Sequence, residues 1–209
     1  MTTDINILFV NKSNDEDNSS VLVFLKPTES NLTAQSTAWQ VIDNIGYNCW
    51  HKFTYTLNTS VMALWDGGNS GTFPMETTNG KVYALKETKG GFSLEETPST
   101  NQNTPPSNEF DVINKVGTTN GISVVAFKDG NPILTKKIVA KGEKAEFVFH
   151  PKIFFGLCSE YQVGDVVNSA VMSEEFKEVS LEDLKSITVT LKGNARDGFT
   201  FEVSEQVPA

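Results

Sequence analysis

Residues 53–65 read Phe-Thr-Tyr-Thr-Leu-Asn-Thr-Ser-Val-Met-Ala-Leu-Trp, two short runs in which apolar and other side chains alternate. A period of two places the apolar residues of each run on one face of a strand, as in a sheet packed on one side. The same alternation recurs along the chain, at residues 5–9, 147–149, 187–191 and 199–203. The sequence therefore predicts many short strands.

Turn chemistry separates these runs. Four dipeptides supply the positive φ of tight hairpins: Asn79-Gly80, Asn120-Gly121, Asp129-Gly130 and Asp197-Gly198. Helix signals are scarce, and only Ser180–Leu184 is typical of a single capped turn, with Ser180 as N-cap. We predict an all-β protein, an antiparallel, Greek-key-like β-sandwich with at most one short helix.

A polar segment rich in proline, residues 97–108, divides the chain into two nearly equal halves. An offset of 103 residues pairs Asn11-Lys12 with Asn114-Lys115 and Phe24 with Phe127. Either an internal duplication or the convergence of simple β-hairpins explains this match. Because all-β chains of 209 residues are commonly one domain, we expect a single sandwich over residues 1–209, whose two halves are either repeats or similar by convergence.

Composition limits the function classes. The formal net charge is −9 and the pI is about 4.7, so the surface repels phosphate backbones, and nucleic acid is not an expected partner. The longest apolar runs fall far short of the roughly 20 residues of a transmembrane helix. No signal peptide is recognisable, so we expect a cytoplasmic protein or one exported by a non-classical route.

Catalytic residues are hard to assemble from this sequence. Only His51 and His150 could act as a histidine base, and no nucleophile elbow occurs. Cys49 and His51 would share one face of a strand, which leaves a cysteine-histidine enzyme as a minor alternative. We otherwise expect no enzyme and no cofactor.

Two candidate metal sites fit known ligand patterns poorly. A zinc site from Cys49, His51, His150 and Cys158 has a legitimate ligand set but no familiar spacing. Asp15, Asp17 and Ser19 resemble the start of a calcium loop, yet Ser20 and Lys26 stand where that loop needs Gly and Glu. We therefore predict no metal site.

The aromatic residues of 39–65 suggest a binding surface. Trp39 and Trp65 lie in strand-like sequence and are expected in the core. Trp50 instead lies in a segment with loop chemistry, together with Tyr47 and His51. If this loop exposes Tyr47, Trp50 and His51, their flat rings could contact a sugar, a lipid headgroup region or a protein.

Several of these stretches together resemble the rhizosphere-induced proteins of the RhiA type, a bacterial family. The likeness is carried by Asn11-Lys12-Ser13, Val21–Phe24, Ala38-Trp39 with Phe53–Tyr55 and Val61–Trp65, and Phe147–Pro151 with Tyr161–Val167. The resemblance implies a soluble β-rich protein linked to bacterial life near a host. It implies no catalytic residues.

Two hypotheses of function follow. The first is a soluble, non-enzymatic protein that acts by surface binding of a glycan, host component or protein partner, or by homo-oligomeric assembly. The second is a membrane-active or toxin-like β protein, in which the aromatic loop would touch lipid. Binding of neutral lipid vesicles discriminates between the two.

Overall fold

The described part of the chain is built almost entirely from β-strands. The computed structural model describes residues 4–14, 19–27, 34–98, 104–168 and 176–209. Within these residues the one helical element is a 3₁₀ turn at Asp66–Gly68. The predicted all-β class is therefore confirmed.

Contacts within the chain group the strands into two compact units, which we describe separately. The first unit comprises Met1–Lys26, Thr37–Leu57 and Pro151–Ala209, and the second comprises Pro27–Ser36 and Asn58–His150. A single domain over residues 1–209 stays a prediction beside this grouping.

Eight strands of the described residues form the first unit. Numbered along the whole chain, they are β1 Ile5–Asn11, β2 Ser20–Phe24, β4 Ala38–Ile42, β5 Trp50–Tyr55, β15 Lys152–Cys158, β16 Lys177–Ser180, β17 Leu184–Asn194 and β18 Gly198–Pro208. Sheet A has the order β18-β17-β1-β5, and sheet B the order β16-β15-β2-β4. Trp39 of sheet B meets Phe53 of sheet A edge-on at 5.7 Å, so the two sheets share an aromatic core.

Ten strands of the described residues form the second unit. They are β3 Ala34–Ser36, β6 Thr59–Trp65, β7 Ser70–Gly71, β8 Met75–Thr77, β9 Val82–Thr88, β10 Gly91–Thr97, β11 Glu109–Asn114, β12 Ile122–Lys128, β13 Asn131–Val139 and β14 Lys144–Val148. Sheet C has the order β10-β9-β11-β14, and sheet D the order β3-β13-β12-β6-β7, with β8 also on β6. Phe110 and Phe147 of sheet C are fully buried.

Sheets A and C repeat one plan. In sheet A the hairpin β17–β18 pairs through β17 with β1 in parallel, and β1 pairs with β5 antiparallel. In sheet C the hairpin β9–β10 pairs through β9 with β11 in parallel, and β11 pairs with β14 antiparallel. Each of these two sheets thus departs from the predicted antiparallel arrangement at one pair.

Sheets B and D share a further detail. The offset of 103 residues places β2 on β12, and the two strands shift register at the same place, β2 against β4 and β12 against β13. The shift lies between Val23 and Phe24 in β2, and between Ala126 and Phe127 in β12. Because irregularities of this kind re-aim side chains and are not required of a hairpin, a shared one supports an internal repeat over chance convergence.

The two repeated halves interlace along the chain. The first unit takes β1, β2, β4 and β5 from the first half and β15 to β18 from the second half. The second unit takes β3 and β6 to β10 from the first half and β11 to β14 from the second half. The proline-rich loop 97–108 therefore joins β10 to β11 within the second unit and does not separate the units.

Local predictions fail at two kinds of connection. Ser180–Leu184 forms a turn between sheet B and sheet A rather than a helical turn, because Asp183 adopts a φ of 57°. Asp129-Gly130 and Asp197-Gly198 do lie in hairpins. Asn79-Gly80 and Asn120-Gly121 instead connect strands of different sheets, where the same positive φ reverses the chain.

Candidate binding face of sheet A

The predicted aromatic loop runs from Ile45 to Cys49 and leads into β5. Tyr47 is 65% exposed, and Trp50, the first residue of β5, is 60% exposed. Trp39, by contrast, is fully buried, as expected for a core residue. Burying a large aromatic ring stabilises a fold by a few kcal/mol. Trp50 obtains little of this stabilisation, because most of its side chain is exposed.

Asn11, at the end of β1, fixes the backbone of this loop. Its side-chain amide donates to the Ile45 carbonyl at 2.5 Å, and its backbone N–H donates to the Cys49 carbonyl at 2.9 Å. Its own carbonyl accepts from Asn48 N–H at 2.8 Å. Asn48 can complete this turn because it adopts a φ of 63°, a conformation that Asn tolerates well. The loop is therefore held in place before any ligand arrives.

A lysine lies over each exposed ring. The Lys52 ammonium is 5.0 Å from the centroid of the Trp50 ring, and the Lys12 ammonium is 5.9 Å from the centroid of the Tyr47 ring. Lys12 also donates to the Asn48 side chain. Cations at these distances are attracted to the ring faces, which helps to fix the orientation of both aromatic side chains.

A groove continues from Trp50 across the outer face of sheet A. Alternation along β5 places Trp50, Lys52 and Thr54 on one face of the strand. Lys52 and Thr54 line a concavity of about 640 Å³ together with residues of the neighbouring strands, among them Asn6, Leu8, Ser186, Thr188, Glu205 and Val207. Trp50 and the groove therefore form one surface, which we call the sheet A face.

The far side of the groove depends on irregular pairing. The register between β17 and β18 shifts on both sides of Ser186, and Glu205 adopts a φ of 49°. Its carboxylate accepts a hydrogen bond from the Thr188 hydroxyl at 2.8 Å. Val207 beyond it is 48% exposed. This irregularity shapes the groove where a regular hairpin would be flat.

The second unit contains the same loop with other side chains. The registers of sheets A and C make Trp50 equivalent to Lys144, and the loop residues Tyr47 and Asn48 equivalent to Lys141 and Gly142. The hydrogen bonds agree as well, since Asn114 N–H donates to the Glu143 carbonyl and Gly142 N–H donates to the Asn114 carbonyl. The second unit therefore forms the same loop backbone without aromatic residues at these positions, so the fold does not require Tyr47 and Trp50.

His51 does not share the surface of Trp50. It alternates with Trp50 along β5 and is half-buried, with its ring 6.1 Å from that of Phe53. Phe53 in turn contacts Trp39 in the core. His51 therefore lies outside the sheet A face, and Tyr47 lies exposed in the loop that leads into it.

Sequence reasoning named none of the groove residues of the sheet A face as binding residues. Lys52 could have been found, because it lies two residues after Trp50 on the same strand. Leu8, Thr188 and Glu205 could not, since they join the groove only through pairing of β1, β17 and β18 across the chain.

The cysteine and histidine residues form no shared site in the described part of the chain. Cys49 is exposed in the aromatic loop, and Cys158 is half-buried at the end of β15, where burial raises the pKa of its thiol. No hydrogen bond joins Cys49 to His51 among the described residues. His150 is exposed after β14, and the described residues hold none of the four in a cluster of metal-ligating groups.

The acidic segment weighed for calcium lies mainly outside the described residues. Asp15 and Asp17 are not described, and only Ser19 of that trio is. The hypothesis of a calcium loop therefore concerns residues outside the described part of the chain.

A second concavity, of about 400 Å³, lies in the second unit beside Trp65. Trp65 is half-buried and packs edge-on against Phe92 at 5.2 Å, a less buried position than the core placement expected for it. Ile138 on the rim is 76% exposed and has a φ of 60°, which is rare for a β-branched residue. Substitution of Trp65 at this concavity is therefore a matched control for substitution of Trp50.

Within the described residues, no helix is long and apolar enough to cross a membrane. Comparison with known proteins found no matching family model, no matching curated protein and no matching solved structure.

Proposed function

We propose that this protein is a non-enzymatic binding protein whose sheet A face binds a carbohydrate. The observation that carries the proposal is the exposure of Tyr47 and Trp50 on a loop that the second unit builds with Lys141 and Lys144 instead. Two exposed aromatic rings that the fold does not require offer contact area to another molecule.

The chemistry of the surface favours a sugar as that molecule. An aromatic ring offers an apolar flat face to the C–H side of a sugar ring, and neighbouring polar groups bind its hydroxyls. Beside Trp50 the groove supplies neutral polar groups on Asn6, Thr54 and Ser186, and a cation on Lys52. Both neutral and acidic saccharides fit this set.

Preorganisation adds to the proposal. The loop is clamped by Asn11, and both rings are steadied by lysines. Binding then costs little ordering of side chains, and this cost is a main reason why exposed surfaces bind weakly. The resemblance to rhizosphere-induced proteins implies bacterial life near a host, where carbohydrates are available as ligands. It implies no site residues.

A glycan array tests the proposal, followed by calorimetry with the best saccharide. Trp50→Ala and Tyr47→Ala should each weaken binding at least about tenfold, as expected for an aromatic anchor in an interface. Two matched controls should bind as wild type: Lys141→Ala, at the position equivalent to Tyr47, and Trp65→Ala, at the second concavity.

Three outcomes would overturn the proposal. The first is an array profile that Trp50→Ala leaves unchanged, and the second is binding that depends on Trp65 instead. The third is binding or leakage of neutral phosphatidylcholine vesicles without any glycan binding, which would support the membrane-active alternative. Size-exclusion chromatography with light scattering on the same samples shows whether the chain assembles with itself.

A further inference from the structure

The outer face of sheet C differs in chemistry from the sheet A face, although the strands correspond. The offset of 103 residues makes Glu109 equivalent to Asn6 and Asp111 equivalent to Leu8. The pairing of Asp111 with Glu146, and of Leu8 with Lys52, makes Glu146 equivalent to Lys52. Three carboxylates therefore replace an amide, an apolar side chain and a cation.

These three carboxylates converge. One oxygen each from Glu109, Asp111 and Glu146 lies within 4.8 Å of the other two. A single cation can span such a separation when its bonds to oxygen are about 2.4 Å long, which is the range for calcium. A cavity of about 300 Å³ opens on Glu109 and Asp111, beside Thr104 and the two prolines that follow it. Water can complete the coordination there.

Asp111 is the buried member of the cluster. Its side chain is 7% exposed, and its Oδ2 atom accepts from the Lys144 ammonium at 3.1 Å. Its Oδ1 atom is buried and accepts no hydrogen bond from any described residue. A buried carboxylate oxygen without a donor is costly. The equivalent position in the first unit is Leu8, so the fold does not need an acid there.

The charges around the cluster do not balance. Lys144 also contacts Glu146, at 2.6 Å, and Lys136 on β13 adds a second positive charge nearby. Lys144 is half-exposed, so its ammonium can turn to water when another cation takes its place. Three carboxylates against these two lysines leave an excess negative charge.

Protonation is the competing way to relieve this excess. Burial, together with the neighbouring carboxyl of Asp111, raises the pKa of Glu109 to about 7. Protonated Glu109 can donate a hydrogen bond to Asp111.

We propose that Glu109, Asp111 and Glu146 form a binding site for a divalent cation of the calcium type on the outer face of sheet C. The ligands are hard oxygens only, and calcium accepts irregular sets of such ligands, whereas magnesium requires near-ideal octahedral geometry and gives up its water reluctantly. The site is independent of carbohydrate binding at the sheet A face.

The test is calorimetric titration of the full chain, freed of metal, with calcium chloride up to about 5 mM, above the range of weak extracellular calcium sites. Thermal unfolding is followed in parallel with calcium, with magnesium and with chelator. We expect heat of binding and a raised unfolding midpoint with calcium, and a smaller effect with magnesium.

Three variants locate the site. Glu109→Gln and Asp111→Leu, the latter restoring the residue of the equivalent strand, should each weaken calcium binding at least about tenfold. Glu95→Gln, an exposed acid of β10 paired with Lys86, should bind calcium as wild type. If Asp111→Leu fails to fold, Glu109→Gln decides whether the site binds calcium, because it is an isosteric change at a partly exposed residue.

Two results would overturn the proposal. One is the absence of both heat of binding and midpoint shift with calcium up to about 5 mM. The other is calcium binding that Glu109→Gln leaves unchanged.

Discussion

Asn11 and Asn114 hold the same position in the two units and make corresponding hydrogen bonds. Asn11 Oδ1 accepts from the backbone N–H of Ser13 at 2.8 Å, and Asn114 Oδ1 accepts from that of Val116 at 2.9 Å. The side-chain amides donate to the Ile45 carbonyl and the Val139 carbonyl. Each asparagine therefore pins the loop that leads into the outermost strand of its sheet, β5 or β14.

Replacing either asparagine by alanine should destabilise the protein by about 2 kcal/mol, because buried backbone groups lose their partners. Only Asn11→Ala should also weaken glycan binding, since only its loop carries Tyr47 and Trp50. Chemical denaturation and calorimetry measure the two effects. Equal binding by Asn11→Ala and Asn114→Ala would show that the clamp does not position the rings.

Trp50 and Trp39 should respond to alanine in opposite ways. Trp50→Ala should change the free energy of unfolding by less than about 1 kcal/mol, as at other surface positions. Trp39→Ala should cost about 3–5 kcal/mol, because a fully buried ring that meets Phe53 and Tyr55 is removed. Urea unfolding monitored by circular dichroism compares them. A large loss for Trp50→Ala would place its ring in the core.

Cutting the chain should reveal the interlaced topology. A cut within loop 97–108 leaves two fragments, neither of which contains all strands of any unit, so neither should unfold cooperatively when alone. The segment 58–150 keeps the whole second unit except the edge strand β3, and should fold by itself. Thermal unfolding of the three fragments provides the measurement. A cooperative transition of the fragment that starts after the cut would contradict this account.

Glu109→Gln should stabilise the metal-free protein near pH 8. A carboxyl whose pKa in the folded state is about 7 binds a proton that the unfolded chain has already lost. Wild-type stability therefore falls as pH rises from the ordinary pKa of Glu, about 4.3, to about 7.

Because Glu109 is partly exposed, the gain at about pH 8 should be about 1 kcal/mol after solvent screening, and it should vanish below about pH 4. Glu95→Gln provides the control. Thermal unfolding in chelator across this range measures both. A constant difference between wild type and Glu109→Gln at every pH would contradict the raised pKa.

The sequence by itself determined the local structure of this protein. Alternation at residues 53–65 fixes which side chains face the core, because successive residues of a strand point to opposite faces. It therefore predicted strands and an all-β class, whereas the loop predicted for residues 45–51 ends at Cys49, because Trp50 and His51 already belong to β5. The offset of 103 residues left duplication and convergence of hairpins both open, and the register shift shared by β2 and β12 supports duplication.

Only the tertiary structure decided which strands pair. That β1 lies between β17 and β5, or β11 between β9 and β14, depends on backbone hydrogen bonds that carry no local sequence signal. The groove beside Trp50 joins residues almost 200 positions apart, and the acidic cluster joins Glu109 to Glu146 across two strands. Both surfaces therefore exist only once distant segments have paired, and no reading of neighbouring residues could have assembled them.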